Sequence, residues 1–262
     1  MSAWVSLLKK EINSTKSRVL WGLVIVIAIG LLDVYLANYY GRPGMATILA
    51  VIAIVFHMFY LAIYMLKSLS NEWSNAHLWL HLPSSGWALI SAKLASGLIA
   101  MLVSFGITCI FAFWVVSIEL KNLAQFFDPQ KIEIISSALL SYSWLIALML
   151  IVGAIYNGLW AMMISVAMAS TRNVIKKGRF FIGVGVFLIP TWLMGLFSNS
   201  HVYDALVNWG TVNLPLNLTA LDSMENVNIQ QTFYAGEILF YTLVMAAVFY
   251  LCGWLLDNKV EV

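Results

Sequence analysis

Few side chains in this sequence combine the types and spacings that chemistry requires. His77 and His81 stand four residues apart, so on a helix their imidazoles would share one face and could hold a metal ion. A third ligand at a suitable spacing is missing, because Glu72 lies well outside that face, and we expect no metal site. No pair of carboxylates stands where it could serve as a buried acid and base. We therefore expect no catalytic residue and no enzymatic activity.

Four polar side chains interrupt long apolar runs: Asp33, His57, Asn157 and Glu237. Such groups cost free energy in hydrocarbon, so each is a candidate for a direct part in transport. Each also has a structural explanation, since Asp33 and Glu237 lie near the ends of their runs and a neutral His57 can bond a nearby backbone carbonyl. A proton-driven transporter usually carries an acid at mid-membrane, and the absence of one disfavours that class.

The elements that must position these side chains are long apolar helices. The chain is 62% hydrophobic and 10% charged, whereas a soluble domain carries about 25% charged residues. Crossing the hydrocarbon core takes about 20 helical residues. Six runs are long enough, near 19–38, 44–66, 92–118, 137–168, 180–198 and 234–256. The sequence thus predicts an all-α membrane protein in which residues 1–262 form one domain with six transmembrane helices.

The basic residues predict the orientation of this domain. With both termini inside, eleven Lys and Arg fall on the inner side and three on the outer side, which together make the fourteen in the chain. This bias places both termini in the cytoplasm. Because these residues line membrane edges, they suit a lipid partner and not a nucleic acid. We expect a multi-pass protein of a plasma membrane, in a bacterial cell.

Two segments flank the spans in distinctive ways. Residues 1–18 precede the first span, and Trp4, Val5, Leu8 and Ile12 share one face of a helix there. This pattern is typical of a short amphipathic helix lying at the inner interface. Residues 199–233 contain apolar patches, which favour either short helices that re-enter the outer leaflet or a compact cap with its own core.

Small residues recur every four positions in two of the spans. The third span has Ala92, Ser96, Ala100, Ser104 and Thr108, and the fourth has Gly153, Asn157, Ala161 and Ser165. Small side chains let helix backbones approach closely in lipid. These faces therefore predict a packed helical bundle and would also suit a dimer.

A mostly uncharged insert, residues 69–91, separates the second span from the third. Wound as a helix over 71–82, it places Trp73 and Leu80 on one face and Leu78 and Leu82 on another. Two apolar faces favour a helix held between the bundle and a partner. The alternative is a helical turn that packs only on the spans of its own chain.

Single residues mark the ends of this insert. Glu72 is its only charge; near a helix start it would be favoured by the dipole, and it could also meet a basic residue of a partner. Pro83 should end the helix, and Ser84 and Ser85 can cap the next one. The sequence contains no Gly-x-x-x-x-Gly-Lys-Ser/Thr loop, so the chain does not bind ATP through that motif.

This layout resembles the permease subunits of ABC-2-type exporters, also called type V ABC exporters. Members of that family have six spans, an N-terminal elbow helix and a cytoplasmic coupling helix between spans two and three. Their coupling pattern is an acid, a Leu-rich helix, Leu-Pro, small residues and a Lys that opens span three. Here the pattern matches Glu72, residues 78–80, residues 82–85 and Lys93, and the elbow matches Trp4 to Ile12.

The resemblance implies a permease without its own ATPase, paired with an identical or sister permease and seated on two separate ATP-binding cassette subunits. ATP and magnesium would bind those subunits, and this chain would bind no cofactor. Coupling to the ATPase would involve Glu72, Trp73, His77, Leu78, Trp79, His81, Leu82 and Pro83. An amphipathic or hydrophobic cargo, such as a peptide antibiotic, a lipid or a drug, would suit the aromatic-rich interior.

Two other classes stay open at this point. One is a secondary transporter or channel, which needs no ATPase. The other is a membrane-bound immunity or sensor protein that binds a peptide without pumping it.

Overall fold

Nearly all of the described chain is helical. The computed structural model describes residues 3–39, 44–74, 84–126, 128–171, 178–212 and 233–260. The helices are α1 Ala3–Tyr39, α2 Met45–Phe56, α3 Tyr60–Ser74, α4 Gly86–Leu123, α5 Pro129–Ser170, α6 Arg179–Phe197, α7 His201–Val207 and α8 Ala235–Asn258. A 3₁₀ turn, His57–Phe59, joins α2 to α3, and the two-residue strands β1 Thr211–Val212 and β2 Phe233–Tyr234 pair antiparallel.

Five helical units of the described residues are long and apolar enough to cross a membrane. They are α1, the unit Met45–Ser74 made of α2 and α3, α4, residues Leu139–Ser170 of α5, and α8. A sixth span requires that Phe181–Phe197 and His201–Val207, which meet at a 90° bend, count as one. The predicted helical, multi-pass membrane architecture is therefore confirmed, with five spans or up to six.

The predicted elbow is not a separate element. α1 runs without interruption through 37 residues, about 55 Å at 1.5 Å per residue, so it contains both the elbow and the first span. Residues 15–19 contain no Pro or Gly, and the Thr15 hydroxyl finds its acceptor within the helix, at the Glu11 carbonyl one turn earlier. The structure shows no helix end between residues 1–18 and the first span, so a separate elbow helix is not confirmed. Trp4, Val5 and Ile12 are nonetheless exposed, as a lipid-facing stripe would be.

The bundle is organised around α4 and α5. α4 packs against α1, α2, α3 and α8, whereas α5 packs against α3, α6 and α8. The small-residue faces predicted for these two helices are buried or half-buried: the five members in α4 are at most 7% exposed, Ala161 and Ser165 of α5 are each 4% exposed, and Gly153 and Asn157 are half-buried. The prediction that these faces lie at helix contacts is thus confirmed.

Close approach at the centre depends on glycine. Leu61 of α3 is fully buried between α4 and α5. A Cβ at Gly97 would lie 2.8 Å from Leu61 Cδ1, and a Cβ at Gly158 would lie 2.7 Å from Leu61 Cγ. Both distances are shorter than van der Waals contact, so only glycine lets the three helices meet around this leucine.

Parts of both predicted connecting segments are described. α3 continues the second span through Ser74, and Ser85 caps α4 by accepting a hydrogen bond from the Ala88 backbone N–H, which confirms the predicted cap. Residues 75–83, with most of the proposed coupling positions, lie outside the described residues. In 199–233 the structure describes α7, β1 and β2; the intervening residues 213–232 also lie outside it.

Candidate functional sites within the bundle

A buried ion cluster joins three helices at one end of the bundle. The Lys93 ammonium lies 2.6 Å from Glu11 Oε2, 2.9 Å from Ser68 Oγ and 3.1 Å from Glu72 Oε1. Lys93 is fully buried, whereas the Glu72 side chain is 20% exposed. We call these four residues the basal ion cluster, and the end of the bundle that contains them the basal end.

The cluster satisfies its cation well. An ammonium group has three N–H donors, and three oxygen acceptors surround Lys93. Moving a charge out of water costs several kcal/mol, which a close, well-bonded partner can offset. Two carboxylates share one lysine, so the charges of Glu11 and Glu72 are both balanced by the same ammonium group. This arrangement holds α1, α3 and α4 in one fixed register.

The cluster also joins the two ends of the insert. Glu72 lies in the last turn of α3 and Lys93 in the second turn of α4, so their contact closes the loop formed by the insert. Beside it, Trp73 Nε1 donates to Ser165 Oγ of α5 at 2.9 Å, and the Gly86 backbone N–H donates to Asp257 Oδ1 of α8 at 2.6 Å. Both ends of the insert are therefore anchored to the bundle.

A break in the second span forms a second polar site. The 3₁₀ turn His57–Phe59 interrupts the helix between Phe56 and Tyr60. His57 is 7% exposed; its Nδ1 lies 2.8 Å from the Ala53 carbonyl and its Nε2 lies 3.0 Å from Ser104 Oγ. Because a carbonyl only accepts, Nδ1 carries the proton, so the Nε2 of the neutral ring accepts from the Ser104 hydroxyl.

Asn157 supports the same break from the opposite side. Its amide Nδ2 donates to the Met58 carbonyl at 3.3 Å. A mid-helix 3₁₀ turn alters the usual backbone bonding and often marks a hinge. Asn157 and His57, two of the four candidates inside the spans, are thus brought to adjacent residues of one helix break.

Asp33 lies beside a cavity of about 460 Å³ between α1, the second span and α4. The residue is 5% exposed, and its Oδ1 has no hydrogen-bond partner within the described residues. His57, Ser104 and Thr108 line the same cavity, and its other walls are almost entirely apolar. The structure therefore brings Asp33 and His57 to one site, which we call the Asp33 cavity.

Glu237 lies apart from these residues. It occupies the first turn of α8, where a carboxylate is stabilised by the helix dipole. This position gives Glu237 a structural role, and nothing in its described surroundings connects it with the Asp33 cavity.

Glu11 and Glu119 are not among the predicted site residues, and Lys93 was expected only as the residue that opens span three. Glu11 and Lys93 belong to the basal ion cluster. Glu119, near the end of α4, accepts hydrogen bonds from the backbone N–H groups of Gly44 and Ala46, both at 3.1 Å, and from the Thr47 hydroxyl. Glu119 thereby caps the start of α2 from another helix. Glu119 directly follows the apolar run that ends at Ile118, and this position is the sequence signal that could have found it.

The remaining predicted site residues are placed as follows. Trp4 Nε1 donates to Ser91 Oγ at 3.0 Å, which ties the start of α1 to α4, and Leu8 is half-buried. His77, Leu78, Trp79, His81, Leu82 and Pro83 lie outside the described residues. Among the residues that are described, no group of three His, Cys, Asp or Glu side chains could hold a metal ion.

Comparisons with known proteins leave the family open. Protein-family models, curated proteins and solved structures all give no match to this chain. What can be said of its function therefore rests on its own residues and geometry.

Proposed function

We propose that this chain is the transmembrane permease subunit of an ATP-driven exporter of the ABC-2 type. It carries six spans, counting the bent pair as one, and residues 1–18 serve as the elbow along the first part of α1. Two permeases, identical or paired with a sister chain, sit on two ATPase subunits in a plasma membrane with their termini in the cytoplasm. The cargo is an amphipathic or hydrophobic molecule.

The observation that carries this proposal is the basal ion cluster. For a partner to move the spans through the insert, the ends of the insert must be rigidly attached to those spans. The contact of Glu72 with Lys93 fixes both ends of the insert, and Lys93 also binds Glu11 of α1. Movement of residues 75–83 would therefore be transmitted to α1, α3 and α4 together, which supports a coupling role for the insert.

The same geometry refines the expected contacts of the insert. Glu72 bonds Lys93 of its own chain, so its carboxylate is already engaged and other residues of the insert would contact the ATPase subunit. Trp73 likewise packs on its own chain through Ser165. The docking surface proposed here is accordingly the apolar part of the insert, Leu78, Trp79 and Leu82, with His77, His81 and Pro83 beside them.

Affinity purification tests the proposal. The tagged chain is co-expressed with the products of its neighbouring genes, and we expect an ATPase to co-purify whose hydrolysis depends on this chain. Trp79→Ala should weaken that association, whereas Trp192→Ala, at an exposed position of α6, should leave it unchanged. Recovery of a cargo-moving protein that contains no ATPase would refute the proposal.

One observation favours a second candidate, a secondary transporter. The second span of this chain is broken at His57–Phe59, beside the cavity that Asp33 lines. Transporters bind substrates at such helix breaks. Transport by that mechanism would stop when an uncoupler collapses the ion gradient and would persist without ATP. The permease proposed above would show the opposite dependence.

A further inference from the structure

The Asp33 cavity has the dimensions and walls of a ligand site. Its volume of about 460 Å³ falls within the range of 300–1,000 Å³ that is usual for small-molecule pockets. Apolar side chains of α1, the second span and α4 form most of its surface. Several of these, including Leu32, Ile52 and Phe56, are more than 40% exposed, so the cavity borders the lipid-facing surface of the bundle.

Asp33 supplies one strong unsatisfied acceptor to this apolar space. Its residue is 95% buried, given an exposure of 5%, and Oδ1 receives no hydrogen bond from any described residue. Buried polar groups in folded proteins nearly always have partners, and a buried charge is especially costly without one. An unpaired carboxyl group at a cavity wall is therefore the expected arrangement where a ligand provides the missing donor.

The other polar groups at the cavity narrow the chemistry of that ligand. His57 Nδ1 is used by the Ala53 carbonyl, its Nε2 is used by Ser104, and the Thr108 hydroxyl donates to the Ser104 carbonyl at 3.0 Å. The ring nitrogens of His57 and the hydroxyls of Ser104 and Thr108 thus have partners within the bundle, whereas Asp33 Oδ1 has none among the described residues. The site thus complements a donor that carries positive charge.

We propose that the Asp33 cavity binds a protonated amine attached to an apolar body, with the ammonium on the Asp33 carboxylate. The aliphatic walls hold the apolar body. The rings of Phe56 and Phe111, which also line the cavity, add surface that favours a cation over a neutral head group. Entry from the lipid-facing side allows an amphiphile to reach the site without crossing water.

This inference concerns binding by the chain alone and does not depend on the proposed function. The probe is tritiated decylamine, measured by scintillation proximity on the purified chain in a neutral detergent, with no ATPase present. Binding should be saturable. Unlabelled decylamine should displace the probe at concentrations at least tenfold lower than decanol, which has the same tail and no charge. This competition requires no variant.

Two variants test the assigned residues. Asp33→Asn keeps the shape of the side chain and removes its charge, and the affinity for decylamine should fall by about tenfold or more. The matched control is Asp204→Asn, at an exposed acid of α7, and its affinity should equal that of the wild type. Ala53→Phe should abolish binding by filling the cavity, with folding of each variant checked by its thermal unfolding midpoint.

The outcomes are separable. Displacement by decylamine but not decanol, with the loss confined to Asp33→Asn and Ala53→Phe, supports the site. Equal displacement by decanol, or equal affinity of wild type and Asp33→Asn, would overturn it. Absence of saturable binding would also overturn it, without bearing on whether an ATPase drives this chain.

Discussion

The basal ion cluster and the Asp33 cavity differ in whether their buried ionisable groups have partners. At the basal end Lys93 is surrounded by three oxygen atoms, two of them from carboxylates. At the cavity Oδ1 of Asp33 has no hydrogen-bond partner among the described residues. A satisfied cluster fixes the helices that contribute to it, whereas an unsatisfied group costs stability and is kept for what it can bind. The partners of Lys93 give the basal ion cluster a structural role, and the missing partner of Asp33 Oδ1 is the basis of the binding role that we propose for the cavity.

Removing the cation should give the largest effect. Lys93→Met leaves the buried Glu11 and the half-buried Glu72 without their shared counterion, and the free energy of unfolding should fall by about 3–5 kcal/mol. Unfolding by detergent titration in mixed micelles measures this change. Lys67→Met removes an exposed lysine of α3 and should leave the stability within about 0.5 kcal/mol of wild type. Equal effects of the two variants would show that the cluster does not hold the bundle.

The cap on α2 should give the next largest effect. Glu119→Ala removes the acceptor of the Gly44 and Ala46 backbone N–H groups and of the Thr47 hydroxyl. Losing bonds to a charged acceptor should cost about 2 kcal/mol of unfolding free energy. Hydrogen exchange at the first turn of α2 should speed up, and exchange in α3 should not. Glu133→Ala, at an exposed acid in α5, is the matched control, and exchange that is unchanged in Glu119→Ala would contradict the capping role.

Support of the break in the second span should contribute less. Asn157→Ala removes the amide that bonds the Met58 carbonyl, and interhelical hydrogen bonds of this kind contribute about 0.6–1 kcal/mol in membranes. The same unfolding titration measures the loss. Ser143→Ala, in an exposed part of α5, should show no comparable loss, because its hydroxyl bonds only a carbonyl of its own helix. A neutral result for Asn157→Ala would mean that the break does not need this contact.

The Asp33 cavity should give the smallest effect, with the opposite sign. Asp33→Asn removes a buried unpaired charge, so the thermal unfolding midpoint of the ligand-free chain should stay the same or rise by a few degrees. A midpoint that falls as far as that of Lys93→Met would show that Asp33 has a structural partner. The contrast between the two sites would then fail.

The sequence predicted the bundle better than it predicted the neighbours within it. Small residues at Ala92, Ser104 and Ser165 identified buried faces correctly, because a repeat of four residues reports which side of a helix packs. It does not report which helix lies opposite. Glu11 and Lys93 are separated by 82 positions, so their contact depends on how α1 lies along α4.

The break in the second span could not be predicted from the sequence either. Residues 57–59 contain neither Pro nor Gly, so no local signal marks the 3₁₀ turn. The polarity of Asp33, His57 and Asn157 did single them out as candidates within the spans. Their arrangement around one helix break and one cavity is a property of three packed helices and could not be read from any one of them.

The central claim is that a separate ATPase drives this chain through the insert, and ATP hydrolysis by the co-purified complex tests it most directly. Hydrolysis is measured with the wild-type chain, without the chain, and with Trp79→Ala. We predict hydrolysis that requires the chain and falls sharply with Trp79→Ala, while the amount of Trp79→Ala protein in the membrane stays normal. Cargo transport by the chain with no ATPase bound would contradict the claim. So would an ATPase whose hydrolysis rate is the same with the wild-type chain, without the chain and with Trp79→Ala.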